Sequence, residues 1–194
     1  MSGIRVITVS GEYGGGRADI GRETARQLGW HLVDDALVEA IAQAAHVDCE
    51  TARHYDEGID SWFHRLRKAL ASTAGAAFDA DAMAALARRV IEEAANQGQC
   101  VIVGRGAQCV LGGRPDVFRV FVYGPLHSRI ERVRREFGPE VDAEALVESG
   151  DRRREAYVRR HFGQDWTNPH LYDLMLCSTL GEAAAVAAIL RAVS

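Results

Sequence analysis

A glycine-rich run near the N-terminus, Gly11-Glu12-Tyr13-Gly14-Gly15-Gly16-Arg17-Ala18-Asp19, has the residue types and spacing that hold phosphate. Glycines let successive backbone N–H groups converge on phosphate oxygens, and a helix starting at the end of the run adds its positive N-terminal end. Gly11 and Gly16 bracket four residues and a cation follows, the spacing of a phosphate-binding loop. Two positions depart from the usual chemistry. The cation is Arg17 rather than lysine, and Ala18, with Asp19 next, stands where a Ser or Thr hydroxyl would ligate magnesium. All 23 basic residues except Lys68 are arginine, so any chemistry that needs a cation falls to a guanidinium. Three further groups stand out: Asp34 after an apolar run, Arg105 within Gly104-Arg105-Gly106 after another, and the cluster Asp151-Arg152-Arg153-Arg154.

Those residues need elements that bring them together. Residues 5–9 are a short β-branched run leading into the glycine loop, and Ile20, Thr24, Ala25 and Leu28 then recur at helical spacing up to Gly29, a helix stop. Residues 30–33 form a second apolar run, after which Asp34 and Asp35 precede a helix with Leu37, Val38, Ile41 and Ala45 on one face. Strand, loop, helix, strand, helix predicts a parallel sheet. Residues 48–97 read as helical, with a loop at 72–80 and with Trp62, Phe63 and Phe78 as packing residues. Strands are expected at 100–103, 117–123 and 172–177, as continuous apolar runs suit strands covered on both faces. Pro125 opens a helix, residues 129–160 form a helical excursion with nine arginines and eight acids, and an amphipathic helix follows at 181–193. The expectation is one α/β domain over 1–194. Ligands of open parallel sheets gather beyond the carboxyl ends of the strands, where Asp34 and Arg105 fall. Asp34 serves equally well as a helix N-cap. For Arg105, phosphate binding is a better reason to stand there than a surface ion pair.

Composition excludes several classes. With 194 residues, 47% hydrophobic and 26% charged, the chain is neither disordered nor fibrous. A net charge of −4 argues against a nucleic-acid binder. No apolar run approaches the roughly 18 residues that span a bilayer, and no leader pattern is present, so a cytoplasmic protein is expected. Cys49, Cys100, Cys109 and Cys177 form no C-x-x-C pair and read as reduced thiols, and the seven histidines form no ligand pair, so no metal site is predicted.

The segment from Ile7 to Ile20 resembles the opening of the bacterial cytidylate kinase-like proteins, whose glycine run is followed by arginine. The resemblance continues at His31-Leu32-Val33-Asp34, at Val101-Ile102-Val103-Gly104-Arg105-Gly106, from Arg119 to Leu126 with Arg129 and Ile130, and at Asp151, Arg154, Tyr157, Trp166 and Tyr172-Asp173-Leu174. It implies a P-loop kinase fold: a five-stranded parallel sheet flanked by helices, a helical acceptor-binding region over 34–98 and a lid region over 138–170. It also implies a phosphotransferase using ATP and Mg2+, the metal carried by nucleotide and water rather than by a dedicated protein site. Gly11, Glu12, Tyr13, Gly14, Gly15, Gly16, Arg17, Ala18 and Asp19 would then hold the donor, with Arg17, Asp34 and Arg154 in the catalytic set. Asp34, Arg105, Arg152, Arg154 and Tyr157 would face the acceptor. Gly106 stands where cytidylate kinases carry an aspartate that helps read the base, so cytosine specificity is not implied. The implied acceptor is a nucleoside monophosphate or a similar small molecule. Two rivals fit the altered loop as well: a nucleotide-binding regulatory module, and a small-molecule kinase with a non-nucleotide acceptor. Small nucleotides are the expected partners, without nucleic acid or membrane, and the oligomeric state stays open.

Overall fold

Strand β1 (Val6–Gly11) is buried at all six positions and lies at the centre of the sheet. A computed structural model describes residues 3–37 and 80–194. In it, β1 leads through the glycine loop into α1 (Arg17–Leu28), which Gly29 stops in the left-handed conformation before β2 (His31–Val33). Helix α2 (Ala80–Gln97) precedes β3 (Cys100–Val103), the single turn α3 (Ala107–Val110) and β4 (Val117–Tyr123). Helices α4 (Leu126–Phe137) and α5 (Ala143–Phe162) follow, then β5 (Leu174–Cys177) and α6 (Glu182–Val193). The strands form one five-stranded sheet in the order β2-β3-β1-β4-β5, and every pairing is parallel. With helices on both faces, this is the P-loop kinase fold.

Side chains alternate along β1, and that alternation builds two cores. Val6 points to one face with Val33, Ile102 and the α2 residues Val90 and Ile91. Ile7 and Val9 point to the other, where Ile20 and Ala25 of α1 meet Val186 and Ile189 of α6. Each fully buried Val or Ile contributes about 1.5–3 kcal/mol, so both helix layers are pinned to the sheet and every strand end opens on the same side. Among the described residues no helix is long and apolar enough to cross a membrane.

Two expectations are corrected and one element is added. The fifth strand begins at Leu174, not at 172: Tyr172 closes the 3-10 turn Pro169–Leu171, and the Asp173 carboxylate accepts the Arg119 backbone N–H at 2.8 Å and pairs with its guanidinium at 2.9 Å. The 129–160 excursion is two helices, separated at Gly138, whose φ of 93° no L side chain adopts readily. The α3 turn had no sequence signal, because four residues are too few to show periodicity. The helix expected on Leu37, Val38, Ile41 and Ala45, most of the 34–98 region and Trp62, Phe63 and Phe78 lie wholly or partly outside the described residues.

Candidate active site

The glycine loop closes back on itself, with the Gly15 N–H donating to the Glu12 carbonyl at 3.1 Å. Gly14 and Gly16 have φ of 76° and 83°, and a Cβ at either would meet the Arg129 carbonyl (2.7 Å) or the Arg132 guanidinium (2.6 Å). Only glycine therefore fits, for conformation and for space. Gly16 caps α1 without a side-chain hydrogen bond, and among the described residues no side chain occupies the first-turn N–H groups. Unclaimed amides in a left-handed cradle at a helix N-terminus fit a phosphate group.

The loop is held by neighbours rather than by its own side chains. Arg129, 8% exposed, donates to the carbonyls of Tyr13 and Gly124 and pairs with Asp151 at 2.6 Å and Glu12 at 3.2 Å. The Asp151 carboxylate also accepts the Tyr13 N–H at 2.7 Å, and a Cβ at Gly150 would run into the Tyr13 ring. Helix α5 is thus bolted to the loop at its middle. Glu12 and Asp19, expected near the donor, are engaged sideways: Glu12 accepts the Gly124 N–H, and Asp19 pairs with Arg22 and Arg132.

Four arginines meet on the cleft beside the loop. Arg17, the first residue of α1, lies against Gly104, where a Cβ would collide with its guanidinium, and pairs with Asp35 at 3.6 Å. Arg105 donates from Nε to Asp35 Oδ1 at 2.6 Å. Its backbone sits at φ 53° between Gly104 (82°) and Gly106 (69°), three consecutive left-handed residues that turn it into the cleft. For a non-glycine residue that conformation costs about 1–3 kcal/mol, which favours a functional reason for the turn. Arg154 donates to the Gly11 carbonyl at 2.9 Å and lies 5.1 Å from the centre of the Tyr13 ring. Burial and the neighbouring Arg17 draw its pKa down to about 9, so it stays cationic at neutral pH at a cost that a bound anion would relieve. Arg153 completes the group, and Asp35 is the one acid on the lining among the described residues.

Two sequence-predicted positions are displaced by one residue. Asp34 is the N-cap of the helix that begins at Asp35, its Oδ1 accepting the Leu37 N–H at 3.0 Å. Asp35 takes the place in the cleft. Arg152 points outward and pairs with Glu148 one turn away, and Arg153 lines the cleft instead. Tyr157, expected to face the acceptor, lines the cleft, and burial raises its pKa. Sequence reading gave no role to Asp35, Arg132 or the buried Gln108 and held Arg153 only as a member of its cluster; for Asp35 the doublet Asp34-Asp35 was the available signal.

The cleft has a volume of about 340 Å³, and its lining combines the arginines with Tyr13, Tyr157 and Trp166. Trp166 is fixed edge-on against Phe121, 5.7 Å between ring centres. Among the described residues no three His, Cys, Asp or Glu side chains gather as a metal site.

Comparison with known proteins agrees with this geometry. The cytidylate kinase-like family model matches residues 6–180, and the chain belongs to that family. Comparison with curated proteins finds no match. The fold is shared with an uncharacterized protein from Eubacterium ventriosum ATCC 27560, at TM-score 0.71 and 20% identity over 97% of this chain and 98% of that one. It is shared with a shikimate kinase from Bacteroides thetaiotaomicron, at TM-score 0.56 and 16% identity over 97% of each chain. A gluconokinase from Sinorhizobium meliloti 1021 also has it, at TM-score 0.55 and 16% identity over 100% of this chain and 95% of that one.

Proposed function

We propose that this cytidylate kinase-like chain is an ATP- and magnesium-dependent kinase whose acceptor is a small hydroxylated anion, nucleoside monophosphates included. The observation that carries the reading is that a glycine cradle at a helix N-terminus and four arginines, two of them paired with Asp35, border the same cleft. Phosphoryl transfer asks the protein for positioning and charge neutralisation more than for covalent chemistry, and this site offers both. ATP with magnesium supplies the phosphoryl group and neutralises part of its charge. The loop amides and the α1 N-terminus hold the donor phosphates. Arg105, Arg153 and Arg154 hold the acceptor's anionic group, and Arg17, between loop and acceptor, meets the charge that develops as the phosphoryl group crosses. The acceptor oxygen, a phosphate oxygen in a nucleoside monophosphate and a hydroxyl oxygen in a hydroxy or sugar acid, bonds to the γ-phosphorus, the bond to the β,γ-bridging oxygen breaks and ADP leaves; from a hydroxyl acceptor the proton passes to the Asp35 carboxylate.

The base-reading aspartate of cytidylate kinases has no room here. The Phe162 ring fills the space where a Gly106 side chain would stand, which disfavours selection of cytosine by this route. The regulatory-module reading has support of its own: Ala18 brings no hydroxyl to magnesium, and the Tyr13 amide is already given to Asp151. A coupled ADP-release assay over nucleoside monophosphates, hydroxy acids and sugar acids separates the two. A kinase releases ADP with at least one acceptor, and Arg105→Ala then raises that acceptor's KM about 10- to 100-fold with the KM for ATP unchanged. ATP binding without ADP release from any acceptor favours the module.

A further inference from the structure

In the same cleft lies a buried amide that none of the chemistry above employs. Gln108 is 3% exposed yet lines the cavity together with Ser10, itself 6% exposed. A buried amide is kept only where its polar atoms are matched. Ser10 Oγ donates to Gln108 Oε1 at 2.7 Å, and Gln108 Nε2 approaches the Tyr172 hydroxyl at 3.4 Å. Tyr172 spends its own proton on the Trp166 carbonyl at 2.6 Å, so its oxygen can only accept from Gln108. That settles the amide's orientation: Nε2 faces Tyr172 and Oε1 faces Ser10. The Tyr172 contact is long and uses one Nε2 hydrogen. The other has no partner among the described residues, and the Ser10 oxygen, having donated its proton, keeps lone pairs to accept one.

One donor beside one acceptor on a fixed frame matches a group that accepts and donates at once, which is an alcohol. We infer that Gln108 and Ser10 form a hydroxyl-reading pair, so that the acceptor carries a hydroxyl distinct from the oxygen that is phosphorylated. The inference rests on the kinase reading for the word acceptor, but its content is a binding preference and is tested without turnover. A site that hydrogen-bonds a ligand hydroxyl discriminates against the analogue lacking it, because its buried polar atoms are then stranded.

The experiment is calorimetric titration of the full chain, without nucleotide, with matched pairs of anions: cytidine 5′-monophosphate against its 2′-deoxy form, and gluconate and shikimate each against a deoxy counterpart. The expected result is that at least one hydroxylated anion binds about 10-fold more tightly than its deoxy partner. Gln108→Glu, which keeps the shape and removes the donor, and Ser10→Ala should each cut that preference to about 2-fold or less. They should do so by weakening the hydroxylated ligand and not the deoxy one. Thermal melts of both variants check that the fold is kept, and Gln108→Met serves as an uncharged second variant. Equal binding of hydroxylated and deoxy anions by the parent, binding of none of them, or a preference untouched in the folded variants overturns the inference. A ligand that binds with the preference but yields no ADP in the coupled assay defeats the kinase reading alone.

Discussion

Arg129 is the residue on which the shape of the phosphate loop depends, and replacing it with methionine isolates that dependence. The side chain is 8% exposed and makes four contacts: the Asp151 carboxylate at 2.6 Å, the Glu12 carboxylate at 3.2 Å, and the carbonyls of Tyr13 and Gly124, each at 3.1 Å. Methionine fills much of the volume but leaves two carboxylates and two carbonyls without their cation. Breaking a buried ion pair by removing one partner costs about 3–5 kcal/mol. Here Glu12 and Asp151 each keep 24% of their side-chain surface in contact with water, and Asp151 keeps the Tyr13 N–H, so the lower end applies. About 3 kcal/mol in a chain of 194 residues corresponds to a fall in Tm of roughly 6–12 °C.

Calorimetric or circular-dichroism melts of parent and Arg129→Met measure it, and the double variant with Asp151→Asn identifies the cause. If the penalty is the stranded carboxylate, adding Asp151→Asn recovers at least about 1 kcal/mol, a coupling within the range for groups in contact. Arg129→Lys keeps the charge without the fork and should fall between parent and Met. A drop in Tm below about 3 °C for Arg129→Met, or strictly additive losses in the double variant, refutes the assignment of Arg129 as the loop's anchor.

Asp34 and Asp35 should separate cleanly: Asp34→Ala loses a cap and about 1 kcal/mol of stability with little change in ADP release, whereas Asp35→Asn lowers turnover at least 10-fold with Tm nearly unchanged. Gly106→Asp should lower Tm by several degrees, since it combines a φ of 69° with the Phe162 ring, and should confer no preference for cytidine 5′-monophosphate in the coupled assay. Burial pushes the Cys100 thiol up to about 12 and Cys109 up to about 11, so mass-spectrometric mapping should find both unmodified by iodoacetamide at pH 8. Because those raised values favour the neutral thiol in the folded state, stability should be full below about pH 9 and fall as pH rises towards 11–12. Alkaline melts of Cys100→Ala should show a shallower decline.

The sheet was legible because its central strands β1 and β3 are buried on both faces and β4 is largely so. Such strands are continuous apolar runs, and Cys100–Val103 and Val117–Tyr123 begin and end where the runs do. The edge strand β5 was less so: with a partner on one side only, its start is decided by Asp173 locking onto Arg119, a contact 54 residues away that no local pattern carries. The loop glycines were legible for a related reason, since conformation and close approach both exclude every other residue and leave a spacing to read.

The site was legible as a set of residue types and not as a set of side chains. Asp34 against Asp35, and Arg152 against Arg153, are choices between neighbours whose directions differ by about 100° around a helix, so a boundary shift of one residue exchanges which side chain enters the cleft. Asp34 was equally suited to capping and to chemistry, and capping won because the Leu37 N–H needs a partner inside the protein, whereas Asp35 finds two arginines waiting. The nine arginines between 129 and 160 likewise looked alike in sequence, yet Arg129 became a buried anchor, Arg154 a cleft cation drawn below its ordinary pKa, and Arg152, Arg159 and Arg160 exposed ion pairs. What divides them is where carboxylates stand across the fold. Arg129 has Glu12 and Asp151 to itself, while Arg17 and Arg105 share Asp35 and Arg153 has no ion-pair partner among the described residues. Four arginines brought to one cleft at the carboxyl ends of the strands are an arrangement that an anion arriving from outside would match, and that is the charge the proposed donor and acceptor both carry.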